Sequence, residues 1–324
     1  MRARCAAALL LVFVAAAGHE AVPRADYVWD LPPGVPPPDV ADPGSLTPAR
    51  IELGRRLFFD TRLSRNGERA CGACHRPEFA FTDTRPRAIG ATGQLHERGS
   101  MSLINVAYRR TLTWADPTVT SLERQALLPM FGERPVELGL TGHEVRVYNT
   151  VGSDPLYGRL FADAFPDAER GITTAKVTAA LAAFERTIVS FRSPYDRYRF
   201  RGDERALSPA ARRGMAIFAS PRAGCAECHR GLNFDGDTYP NVPVAAAHGR
   251  AADDVSRFRS PTLRNVARTA PYMHDGRLLT LDEVLAPFPL SAAERAEVIA
   301  FLDALTDVDA LVDSRWSDPW LTKW

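Results

Sequence analysis

The clearest periodic signal in the chain lies over residues 172–191, "ITTAKVTAALAAFERTIVSF". Val177, Leu181, Phe184, Ile188 and Phe191 recur at spacings of four and three, which predicts one apolar face of a long amphipathic helix. Three further helices carry their own start signals. "LTPARIELGRRLFF" opens with Thr47 as N-cap and Pro48 in the first turn, and "SPAARRGMAIFAS" opens the same way with Ser208 and Pro209. "SAAERAEVIAFLDAL" begins with a Ser291/Glu294 capping box and is expected to bury Val298, Phe301, Leu302 and Leu305. Strand-like alternation is rare, so the pattern predicts a mainly α protein with little β.

A weak repeat runs through this pattern. "ARIELGRRLFF" is echoed by "AARRGMAIFAS", and "CHRPEFAFTD" by "CHRGLNFDGD". Each half reads as helix, cysteine motif, irregular loop and further helix, which predicts a duplicated small domain. The halves are expected over 46–200 and 201–324, joined near "SPYDRYRFRGDERALSP". Ahead of them, residues 18–45 hold the proline-rich "LPPGVPPPDVADPG", an extended arm rather than a packed element.

The first 17 residues change the compartment. Arg2 and Arg4 precede an apolar run of roughly a dozen residues and then small residues at Ala15–Gly18, the layout of a secretory signal peptide cleaved after Ala17. The run is too short for a membrane span, and no other stretch is long or apolar enough to cross a bilayer. A retained N-terminal anchor is the alternative. The expected location is the periplasm. Formal charge is +1, and losing Arg2 and Arg4 takes it to −1, so no basic field exists for nucleic acid or anionic lipid. With 45% apolar residues, the mature chain can fill two compact cores.

Cleavage also removes Cys5. The four remaining cysteines all lie in "CGACH" (Cys71, Cys74, His75) and "CAECH" (Cys225, Cys228, His229). Two thiols one helical turn apart can reach the two vinyl groups of one haem, while the adjoining imidazole takes the iron from below. Zinc needs four ligands, and Cys₂His supplies three with no partner pair nearby. A redox dithiol needs a βαβ setting that the pattern does not contain. Two covalent haems c are therefore the favoured reading, with zinc and a redox dithiol as rivals.

A haem only carries electrons unless one face is open and acid–base groups surround it. Between the motifs, "TLTWADPTVTSLERQALLPMFGERPVELG" holds Trp114, Gln125, Pro129 and Glu137 in what reads as a proline-broken loop. A glutamate beside an open haem face can move the proton between peroxide oxygens, which is general acid–base work. Taken alone, Glu137 is as well explained by a solvated carboxylate, and Trp114 by a core aromatic.

Several ordered blocks resemble one family. "ELGRRLFFDTRLSRNGERACGACHRPEFAFTD", "WADPTVTSLERQALLPMFGERPVELG", "AAFERTIVSFRSPYDRY" and "FRSPTLRNVARTAPYMHDG" are similar to the bacterial di-haem cytochrome c peroxidase/MauG superfamily over roughly residues 27–320. "YVWDLPPG", "SMSLINVAY" and "DSRWSDPW" look most like MauG-like di-haem enzymes, in particular those associated with methanobactin operons, which modify tryptophan on a partner protein using peroxide.

The resemblance implies two tandem cytochrome-c-like domains and a role for each matched residue. His75 would be proximal ligand of the peroxide-reactive haem and His229 that of the second haem. Trp114 would lie between the haems and carry electrons or holes. Gln125 and Glu137 match the distal glutamine and the acid–base glutamate, and Pro129 a residue that shapes the distal pocket. The carbonyls of Thr269 and Pro271 match an interdomain calcium site. Hydrogen peroxide, and either a periplasmic protein substrate or a small electron-donor cytochrome c or cupredoxin, are the implied partners. A non-catalytic di-haem electron carrier is the remaining alternative.

Three positions depart from the family pattern. In "TLDEVLAPFPL", Phe288 falls where a methionine or tyrosine should ligate the second iron, and phenylalanine cannot. Gly99 replaces the calcium-site asparagine, leaving Asn105 as a substitute. His96 lies several residues from the position of a displaceable distal histidine. Of the other histidines, His248 is a candidate sixth ligand for the second iron, His143 is expected to be solvated, and His274 to support a haem propionate rather than bind iron.

Overall fold

A computed structural model describes residues 27–166, 168–169, 171–236 and 258–321. The expected signal peptide, with Cys5, and the candidate ligand His248 lie outside the described residues. Helices dominate, and among the described residues β-structure is limited to four isolated bridges.

The first lobe is built from α1 (Pro48–Phe59), α2 (Leu122–Phe131), α3 (Glu144–Gly152), α4 (Pro155–Ala164) and α5 (Thr174–Arg186). The linker helix α6 (Pro194–Arg201) leads to α7 (Pro209–Ala219), α8 (Cys225–Cys228), α9 (Leu281–Leu285), α10 (Ala292–Asp303) and α11 (Val308–Leu311). The sequence starts hold. Thr47 and Ser208 cap α1 and α7 with proline behind them, and Ser291 and Glu294 form the reciprocal box on α10.

Two expectations change. The helix predicted over 172–191 stops at Arg186, because Thr187, Ile188 and Val189 are β-branched and poor helix formers, though Ile188 and Phe191 stay buried beyond it. The stretch read as a proline-broken loop contains α2, whose cap Ser121 accepts from the Arg124 amide. Pro129 sits inside that helix, four residues after Gln125, so both lie on one face.

Each lobe has its own core. Leu53, Leu57, Phe58, Phe81, Leu181 and Phe184 anchor the first, and Phe218, Phe234, Val298, Phe301 and Leu305 the second. The repeat is visible in how helices cross. A Cβ on Gly54 would stand 1.9 Å from the Ala180 carbonyl oxygen of α5, and one on Gly214 1.8 Å from the Glu297 carbonyl oxygen of α10. Only glycine permits either crossing, and the two glycines occupy the same place in the two copies.

The lobes are laced together. Asn105 and Asn265, again at equivalent positions and both left-handed (φ 54° and 59°), converge on Ser190. Asn105 accepts from the Ser190 amide at 2.7 Å, and Asn265 donates to the Ser190 hydroxyl at 3.1 Å and accepts from the Asp307 amide at 2.8 Å. Beyond α10 the chain returns to the first lobe, burying Ala310, Leu311 and Trp316 in its core, although the sequence division assigns that tail to the second half.

Candidate functional site

The two cysteine motifs are held by one local design used twice. Cys71–Ala73 form a single 3₁₀ turn and Cys225–Cys228 a single helical turn, which sets both thiols of each pair beside the following histidine. His75 Nδ1 donates to the Phe81 carbonyl at 2.9 Å, and His229 Nδ1 to the Phe234 carbonyl at 2.7 Å. Phe81 and Phe234 are left-handed (φ 58° and 53°), which turns those carbonyls toward the rings. A hydroxyl braces the preceding residue in each copy, Ser102 Oγ on the Ala80 carbonyl and Thr262 Oγ1 on the Asn233 carbonyl, both at 2.7 Å. The tautomer is thereby fixed and Nε2 is left for a metal. Burial holds both imidazoles below their ordinary value, hence neutral and able to ligate.

The thiols do not suit the rival chemistries. Burial pushes Cys71 and Cys74 up, Cys74 to about 11, whereas a redox dithiol needs a depressed pKa. Among the described residues no three His, Cys, Asp or Glu side chains converge into a metal-binding group, as a zinc site requires. A haem fits better. Cys71, Cys74 and His75 line a cavity that opens to solvent, and Cys74 and His75 also line a second hollow beside it. Arg109 lines the second hollow with its Nε lacking an acceptor and Asp235 3.6 Å away, and burial lowers it to about 9. Such an orphaned donor suits an acidic group carried by a cofactor.

The residues expected to do acid–base work meet in the same cavity. Gln125, Pro129 and Glu137 line it with Cys71, Cys74 and His75. Glu137 comes from the turn that folds back on α2, where the Leu138 amide donates to Pro129 at 2.9 Å and the Leu140 amide to Met130 at 2.8 Å. The Glu137 carbonyl accepts from the Ala91 amide at 2.7 Å. Gly90 makes that approach possible, since a Cβ there would be 1.8 Å from the Val136 carbonyl oxygen. The side chain is about one third exposed, which gives it a route to bulk protons.

The segment 88–98, which meets Glu137 through the Ala91 amide, delivers His96. Its Nδ1 accepts from the Arg98 amide at 3.1 Å, so Nε2 carries the proton and stands 3.4 Å from Glu137 Oε1. His96 is thus inside the cavity, placed against the acid–base glutamate.

Trp114 lies where the lobes meet. Its Nε1 donates to the Gly99 carbonyl at 3.0 Å, and its own carbonyl accepts from the Arg259 amide at 2.8 Å. The Gly99 amide in turn donates to the His274 carbonyl at 2.8 Å. His274 is buried and stacked on Phe258, centroids 3.9 Å apart and planes at 16°. Gly99 therefore does abut the loop carrying Thr269 and Pro271. Asn105 does not fit as its substitute in a calcium site, because its side chain is buried and spent on Ser190 and on Asn233. His143, half-buried, precedes α3.

The described core of the second lobe is apolar. Phe288 packs on the second core beside Leu263, Tyr272 and Met215. One residue of the first cavity escaped the sequence reading. Glu185 lines it, buried on α5. The signal was present, since 177, 181 and 185 fall one turn apart on the apolar stripe.

Comparison with known proteins agrees with this geometry. The profile of the di-haem cytochrome c peroxidase family matches residues 48–205. The methylamine utilization protein MauG of Methylorubrum extorquens is 36% identical over 300 residues, covering 85% of this chain and 82% of its own. The cytochrome c551 peroxidase of Pseudomonas aeruginosa is 31% identical over 277 residues, covering 79% and 78%. The crystal structure of a MauG-like protein associated with microbial copper homeostasis superposes with a TM-score of 0.83 at 35% identity, covering 91% of this chain and all of that one. The chain belongs to the di-haem cytochrome c peroxidase/MauG family of haem oxidoreductases.

Proposed function

We propose that this protein is a periplasmic di-haem enzyme that uses hydrogen peroxide to oxidise a residue on a partner protein, in the manner of MauG-like enzymes. The observation that carries this reading is the meeting of Glu137, Gln125 and Pro129 with Cys71, Cys74 and His75 in one solvent-open cavity. The likeness to the MauG-like protein over all of that chain supports the choice within the family. No described helix is long and apolar enough to cross a membrane.

Haem iron, when bound, supplies the redox chemistry. The chain supplies the rest. His75 and His229 would hold the irons, and Cys71, Cys74, Cys225 and Cys228 would make the thioether bonds. Gln125 would orient peroxide in the cavity, and Glu137 would accept and return the proton that moves between the peroxide oxygens. Trp114, tied to both lobes, would serve electron transfer between the haems.

Adding peroxide to the fully ferric protein tests the reading. A long-lived two-electron-oxidised state with a near-infrared charge-resonance band supports a MauG-like enzyme. Rapid decay, with turnover driven by a small cytochrome c or cupredoxin, supports an ordinary peroxidase instead. Two six-coordinate low-spin haems that refuse cyanide would make it an electron carrier and end the proposal.

A further inference from the structure

Glu185 is the least explained side chain of the first cavity. It is 6% exposed near the end of α5, and its Oε2 is buried with no hydrogen-bond partner. The neighbouring cation does not answer it, because Arg186 spends its guanidinium on Glu123 through two bonds of 2.7 and 3.0 Å. The side chain lines the first cavity.

An unpaired buried carboxylate costs several kcal/mol, so such a group stays protonated or finds a donor. Burial raises Glu185 to about 8, with the Glu123 carboxylate adding to the rise and Arg186 opposing it. At neutral pH the side chain is mainly a neutral acid holding an unused O–H. The other charged and titratable groups lining this space are Arg69, just before the motif, Cys71, Cys74 and His75 from it, His96 from 88–98 and Glu137 from the turn after α2. Cys71 lines the same cavity as Glu185. Gln125 and Glu137 line that cavity too, and a small ligand held there would supply the missing acceptor.

We propose that Glu185 is a second functional carboxyl of the first haem cavity, donating a hydrogen bond to the small oxygen- or nitrogen-bearing ligand on the open face and working beside Glu137. This rests on the proposed open face of the first haem. The division of labour follows from environment, with an accessible carboxylate to accept the proton and a buried acid to steady the ligand.

Cyanide binding to the ferric holoprotein is the test, since it reads the pocket without turnover. The infrared band of a protonated carboxyl should be present in the unmodified protein, shift on cyanide binding, and vanish in Glu185→Gln. Glu185→Leu should weaken cyanide by about fivefold, the value of one hydrogen bond, while Glu185→Gln, whose amide still donates, should stay within about twofold. Unchanged affinity in Glu185→Leu, or a carboxyl band indifferent to cyanide, would overturn the assignment. The infrared result decides alone if Glu185→Leu fails to mature. If the unmodified protein binds no cyanide, the open face itself is wrong and the role of Glu185 falls with it. Normal cyanide binding with a silent Glu185 removes only the role of Glu185.

Discussion

At one position of the repeat the first lobe carries Ile104 and the second Arg264. Both are buried, both follow a hydroxyl residue whose oxygen accepts their amide at 3.2 Å, and both precede a left-handed asparagine. Ile104 simply packs. Arg264 makes a fully buried ion pair with Asp196 of α6, its Nη1 donating to both carboxylate oxygens at 3.0 Å, and lies 4.2 Å over the Phe191 ring. The pockets diverge in the opposite direction. His75 looks onto Gln125, Glu137, His96 and Glu185, whereas the described surroundings of the second lobe are Phe234, Phe301, Phe288 and Tyr272. What is common to the copies is whatever fixes a histidine under an iron. What differs among the described residues is a cluster of acidic and polar side chains beside the first histidine and, in the second lobe, an ion pair clamping the linker helix.

The comparison can be broken first at the clamp. Arg264→Leu strands Asp196 as a buried charge and should cost about 3–5 kcal/mol, while Ile104→Val at the matching site should cost about 0.5–1.5 kcal/mol. Denaturant unfolding of both variants measures the gap. Removing both charges, Arg264→Leu with Asp196→Leu, should recover much of the loss, and equal costs at the two sites would erase the asymmetry.

Next comes the acid–base group. Glu137→Gln should slow the peroxide step by ~10²-fold or more with both haems attached, seen by stopped-flow absorbance. A loss below about threefold would remove Glu137 from its role. Trp114→Phe deletes the bond to Gly99, worth about 1 kcal/mol, and should keep haem content while confining oxidation to the first haem. Sharing that persists would leave Trp114 as packing. His96→Ala should cost a similar ~1 kcal/mol of barrier by freeing Glu137, and should leave the spin state of the first iron unchanged. A switch from low to high spin would instead make His96 the iron's distal ligand.

The smallest energetic change should be at Phe288, although its spectrum should move clearly. With an apolar ring there, the ferric protein should give high-spin signals from both irons by magnetic resonance. Phe288→Tyr should convert the second to six-coordinate. A bis-histidine signal that disappears in His248→Ala would assign the sixth position to His248 instead.

Much of this was legible in the chain. The helix starts at Thr47, Ser208 and Ser291 are local chemistry, because a side-chain oxygen and an amide two or three residues on settle them without distant help. The haem motifs are equally local, since both thiols and the imidazole lie within five residues. Gln125, Pro129 and Glu137 could be matched to a family, but their common cavity depends on the 129–140 turn folding back onto α2. The helix α2 was missed because Pro129 reads as a breaker, although losing a single amide near a C-terminus is tolerated.

By itself, then, the sequence determined the helical class, the duplication and the two Cys-x-x-Cys-His motifs, all carried by short spacings, while Glu137 was singled out only through the family resemblance. Tertiary structure alone decided that His96 faces Glu137, that Asn105 is consumed between the lobes, that the C-terminal tail joins the first core, and that Glu185 faces the cavity. Those outcomes depend on partners 40 to 200 residues away, and a side chain's chemistry at such a site is set by what removes its water, which no local pattern records.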